Sequence, residues 1–238
     1  MNETDFGEKP LKEVLLRLKY QAEPDDCSLA QMSQRLAERY PETRQRRMVV
    51  GGGLLGGMNL SERMAAPVHV SPDQRTAVQV GADGFYFSQL APYEGWPQVR
   101  DEARGVWSFC RPRLHLEVVR SLSVRFINLF ELPGGHGSLS EFLKFAPPAP
   151  SSIGRVEGFF NRWTVSLEDE RCFARIVQAM RPPFRDGRQR IMLDIDVTMR
   201  IYAALEEEDI WAKFNHLRDI AHKIFRDSLT PKANELIP

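Results

Sequence analysis

Short runs in which apolar and polar residues alternate recur along this chain, joined by turn signals. This constrains the fold more than any other feature. Successive side chains of a strand point to opposite faces, so period-2 alternation marks a strand with one buried face. In residues 13–20, Val14, Leu16, Leu18 and Tyr20 alternate with Glu13, Arg17 and Lys19, and Leu15 interrupts the polar face. Residues 123–132 repeat the pattern with Val124, Phe126, Asn128 and Phe130 on one side. Further strands are predicted at residues 47–50, 67–70, 76–80, 85–87, 154–167, 172–180 and 190–198. Ala82-Asp83-Gly84, Glu168-Asp169-Glu170 and Arg185-Asp186-Gly187 supply turn chemistry between neighbours.

Between these runs the apolar spacing changes to three and four, which places a stripe on one side of a helix. Leu29, Met32, Leu36 and Tyr40 form the first stripe, with Ser28 predicted as N-cap, Gln31 completing a capping box, and Pro41 as the stop. Trp96, Val99, Ala103, Val106, Trp107 and Cys110 form the second, opened by Pro97 and closed by Pro112. A short helix is predicted at residues 138–145. A long one is predicted at residues 206–228, with Ile210, Phe214, Leu217, Ala221, Ile224 and Phe225 facing inward.

The element order reads β-α-β-β-β-α twice, without residue-level identity between the halves. Hairpin-linked strands favour antiparallel pairing. The expected architecture is α+β: two similar, pseudo-duplicated units, residues 1–120 and 121–238, each an antiparallel sheet covered by helices, packed as one body.

Composition narrows the function classes. Lys plus Arg and Asp plus Glu are both 32, so the net charge is zero and no broad field favours nucleic acid. The three cysteines, Cys27, Cys110 and Cys172, are dispersed and form neither a zinc cluster nor a disulfide framework. The first residues are polar and acidic, unlike a signal peptide, and no apolar run is long enough to span a bilayer. A cytoplasmic location without membrane contact is expected, and no cofactor is predicted.

Four places carry candidate chemistry, each with a plainer reading. Residues 51–57 hold five glycines in seven positions, but Met58-Asn59 follows where a phosphate loop needs Lys and Ser or Thr, so a connection between strands is the better reading. Gly134-Gly135-His136-Gly137-Ser138 between a strand and a helix is a candidate anion site, or a turn with Ser138 as cap. Asp194 and Asp196 share one face of a strand, about 7 Å apart. They are candidate metal ligands for phosphoester chemistry, or partners of arginines on neighbouring strands, among which Arg125, Arg155, Arg162 and Arg175 qualify. Arg44, Arg46 and Arg47 form the densest basic run and the candidate nucleic-acid contact, or a solvated connection. His216 and His222 lie about 120° apart around one helix and do not make a metal pair.

Four motifs, in order, carry a resemblance: Lys9-Pro10-Leu11-Lys12-Glu13-Val14, Tyr93-Glu94-Gly95-Trp96, Val124-Arg125-Phe126-Ile127-Asn128, and Ile224-Phe225-Arg226-Asp227-Ser228-Leu229-Thr230. Over nearly its whole length the chain resembles a sporadically distributed family of uncharacterised bacterial proteins, with Phe126 standing where that family commonly has Tyr. The resemblance brings no catalytic residue. Its scattered distribution implies mobile gene neighbourhoods of the defence or toxin–antitoxin kind. The leading expectation is therefore a non-enzymatic binding or regulatory protein that engages a protein partner. A metal-dependent phosphoesterase at Asp194 and Asp196 and a nucleic-acid binder are the alternatives.

Overall fold

The structure is a computed structural model. It describes residues 10–22, 24–44, 47–51, 60–64, 66–81, 83–92, 94–132, 139–146, 157–168, 171–181 and 189–234. In chain order the strands are β1 Leu11–Ala22, β2 Glu42–Arg44, β3 Arg47–Gly51, β4 Leu60–Met64, β5 Val68–Val70, β6 Thr76–Gly81, β7 Gly84–Leu90, β8 Leu116–Leu132, β9 Phe160–Ser166, β10 Cys172–Arg181 and β11 Gln189–Ala203. The helices are α1 Asp26–Arg39, α2 Trp96–Cys110, α3 Glu207–Ser228 and the single turn α4 Pro231–Asn234.

The protein is α+β, but the two expected sheets are one. Nine strands pair in the order β2-β5-β6-β7-β1-β8-β11-β10-β9, all antiparallel, and β3 with β4 forms a separate ribbon. The seam is β1 against β8, paired from Leu11↔Asn128 to Ala22↔Leu116 with bulges on the way. Two separate sheets would each leave a long edge of unpaired amides and carbonyls here, and merging satisfies both. The expected boundary at residues 120 and 121 falls inside β8. Nor do the halves match element for element. The short helix expected at residues 138–145 is, in its described part, a 3-10 turn at Leu139–Glu141 followed by a bridge from Leu143 to Leu229.

One core lies between the helices and one face of the sheet. On β1 the buried side is Val14, Leu16, Leu18 and Tyr20. On β8 it is Leu122, Val124, Phe126 and Asn128, and on β11 it is Ile191, Leu193, Ile195, Val197 and Met199. The stripe predicted for α2 is the buried stripe observed. Trp107 meets Tyr20 and Phe85 at ring centroid distances of 5.8 and 5.5 Å, and Trp96 meets Phe126 at 6.3 Å. Trp96 also donates its indole N–H to Asn215 Oδ1 at 2.7 Å, tying α2 to α3. Gly95, at φ 130°, makes the entry into α2 in a conformation open to glycine alone.

The cap of α1 is Asp25 rather than Ser28. Asp25 Oδ1 accepts from the Ser28 amide at 2.8 Å, its Oδ2 accepts from the Ser28 hydroxyl at 2.9 Å, and these bonds hold its carboxyl below the usual range. A carboxylate accepts both donors at once, whereas the Ser28 hydroxyl is itself a donor here.

Candidate functional site

The described helices dock on the core side of the sheet, and none of them is long and apolar enough to cross a membrane. The opposite face is polar. Strand alternation brings Arg17 and Lys19 of β1, Ser121, Ser123 and Arg125 of β8, Asp194, Asp196, Thr198 and Arg200 of β11, and Phe173 and Arg175 of β10 to this side.

Asp194 and Asp196 do share this face, and both are nearly buried, at 6% and 5% exposure. Arg125 grips Asp194 with two parallel hydrogen bonds, Nε to Oδ1 at 2.7 Å and Nη2 to Oδ2 at 2.5 Å. This bond to Asp194 is the main reason the guanidinium holds its proton more tightly than usual. Asp196 Oδ2 accepts from Arg17 Nη2 and, at 3.5 Å, from Arg175 Nη1, while Arg17 Nε also donates to Ser123 Oγ at 2.9 Å. The carboxylates thus serve as anchors for three arginines. Among the described residues no group of three His, Cys, Asp or Glu is placed to hold a metal ion.

Arg125 and Arg175 are partners that alternation pointed to. Arg17 was not, because nothing local to β1 reveals that it lies two strands from β11. The signal that finds it is the period: Arg17 occupies the polar phase of β1, and β8 is the strand that separates it from Asp196.

Beside these pairs the face opens into a cleft of about 330 Å3. Arg17, Lys19, Arg120, Arg175 and Arg200 line it, together with Ser121, Ser123, Thr198, Phe173 and Tyr202. Among the described lining residues Asp196 is the sole carboxylate, and it is already paired. Arg200 stacks over the Phe173 ring, 5.4 Å from its centroid, and Arg120 donates to Gln21 Oε1 at 2.8 Å. A second cleft of about 380 Å3, at the end of α1, mixes both signs instead: Arg39 and Arg75 lie with Asp73, Glu94 and Glu102.

Of the remaining candidates, those that fall among the described residues are not brought to this cleft. Gly134, Gly135, His136, Gly137 and Ser138 lie outside the described residues, as do residues 52–57 and Arg46. Arg44 sits at the far edge of the large sheet, on β2, where it bonds Gln74. Arg47 opens β3 in the separate ribbon, so the basic run is split between two sheets. On α3, His216 is exposed and His222 half-buried.

No protein-family model matches the chain, and no curated protein matches it.

Proposed function

We propose that this chain is a non-enzymatic binding protein that takes a phosphate-bearing anion in the cleft on the face of its sheet opposite the described helices. One observation carries the reading: five cationic side chains converge on a single concavity in which Asp196 is the sole carboxylate among the described lining residues, its Oδ2 already engaged by Arg17 and Arg175, in a chain of zero net charge. Asymmetry of this kind focuses field into a cleft and raises the local concentration of an oppositely charged ligand. Guanidinium groups suit phosphate oxygens in particular, because the planar fork donates two parallel hydrogen bonds.

The cleft is composite. Arg17 and Lys19 come from one side of the seam, and Arg120, Arg175 and Arg200 from the other. Outward from the seam, β1 is followed by β7, β6 and β5, and β8 by β11, β10 and β9. In each half the first strand therefore lies beside the last.

Calorimetric titration with inorganic tripolyphosphate tests the proposal. Saturable binding is expected, weakened about tenfold by Arg175→Ala, in line with the loss of one charge-assisted hydrogen-bonding group. Heats no larger than dilution at low ionic strength would remove the reading.

A further inference from the structure

We infer that the ligand of this cleft is single-stranded nucleic acid, lying across the strands with bases stacked on the aromatic side chains of the same face. This rests on the anion-binding reading and specifies it.

The first support is a cross-strand row. On the same face of the sheet as the cleft, Tyr86 stands opposite Arg17, Arg17 opposite Ser123, Ser123 opposite Thr198, and Thr198 opposite Phe173. Four strand spacings of roughly 4.8 Å place the backbone positions of Tyr86 and Phe173 about 19 Å apart, with Arg17, Ser123 and Thr198 between them. Sheets that take single strands combine these parts: aromatic rings for roughly two or three splayed bases, and basic groups for the backbone.

The second support is Tyr202. It lines the cleft, is 69% exposed, and has a φ of 58°, in the left-handed region that a tyrosine seldom adopts. The β8–β11 register shifts between Arg200 and Ala203, so the irregularity falls at this residue. A bulge that re-aims a large ring into solvent beside a basic cleft costs stability and leaves most of that residue uncovered. A base stacking on that ring would supply the missing contact.

A duplex fits less well. Grooves are read by an inserted helix or a two-stranded ribbon; here the described helices dock on the opposite side of the sheet, and the β3–β4 ribbon contributes no described residue to the cleft.

The test is fluorescence anisotropy on the full chain with labelled twelve-residue oligo-dT and oligo-U, the matching duplexes, and tripolyphosphate as competitor. The expected result is single-strand binding at least tenfold tighter than duplex binding. Tyr202→Ala and Phe173→Ala should each weaken it roughly tenfold, the effect of losing one stacked base. Arg200→Ala should lower the slope of log affinity against log salt by about 0.7. Tyr202 is exposed, so its variant folds and keeps the test decisive even if Phe173→Ala does not fold. Equal affinity for duplex and single strand, or no effect of Tyr202→Ala, overturns the inference. Tripolyphosphate binding without oligonucleotide binding also overturns it and leaves the anion reading intact, whereas failure of both ligands removes the two together.

Discussion

Arg125 reaches diagonally across the sheet to Asp194. Its direct register partner on β11 is Asp196, yet both of its hydrogen bonds go two residues away, to Oδ1 and Oδ2 of Asp194. That leaves Asp196 to Arg17 and Arg175, so two carboxylates hold three guanidinium groups on the face that lines the cleft. Removing one partner of such a pair strands a nearly buried charge. Arg125→Met is expected to cost about 3 kcal/mol, and the double variant Arg125→Met with Asp194→Leu is expected to recover most of it. Urea midpoints of the two single variants and the double variant measure this. A double variant no more stable than Arg125→Met contradicts the pairing.

His69 gives a pH signature. It sits in the core at 2% exposure with Nε2 at 2.9 Å from Ser33 Oγ, and burial lowers its pKa below the ordinary imidazole value. The folded state therefore favours the neutral ring, and the unfolded chain binds the extra proton. Stability from this group is complete above the ordinary imidazole range and is lost as pH falls through it, with a slope of at most about 1.4 kcal/mol per pH unit, the limit for one proton. Urea denaturation between neutral pH and pH 5 should show this slope. It should flatten in His69→Gln, and an unchanged slope in that variant would assign it elsewhere.

The cysteines should separate by reactivity. Cys27 is exposed in the first turn of α1, whereas Cys110 and Cys172 are buried. Burial pushes the Cys110 thiol up to about 12, so it holds almost no thiolate near neutrality. A thiol reagent is expected to modify one site per native chain, lost in Cys27→Ser, and three sites in denaturant. Mass spectrometry counts them.

Trp107 anchors α2 on the sheet between Tyr20 and Phe85, with no solvent exposure. Trp107→Ala is expected to cost about 3–5 kcal/mol, and Trp107→Phe clearly less, because the smaller ring leaves a smaller void. Thermal unfolding of the two variants checks the order.

Local elements were legible because period and burial coincide in them. The α2 stripe from Trp96 to Cys110 and the alternation of Val14, Leu16, Leu18 and Tyr20 both face the core as read. β2 gave no such signal, since Glu42, Thr43 and Arg44 are all exposed and carry no apolar phase. The start of β8 was missed where Leu116-Glu117-Val118-Val119 breaks strict alternation, at the bulges opposite β1. What no window of sequence holds is which strand lies beside which. Asp194 and Asp196 were found, and Arg125 and Arg175 were named as neighbours. The cleft itself depends on Arg17, Lys19 and Arg200 meeting across three strands, and that follows only from the β1–β8 pairing.

That pairing also sets the order in which the molecule can be made. β1 is flanked by β7 and β8, both of which come later in the chain, so on the ribosome it emerges as a ribbon with one apolar face and neither edge occupied. It must be held, by collapse or by a chaperone, until residues 116–132 arrive to close the middle of the sheet. Synthesis halted before that point would release a product with a bare, sticky strand, so truncated chains of this protein should aggregate rather than persist as half-molecules.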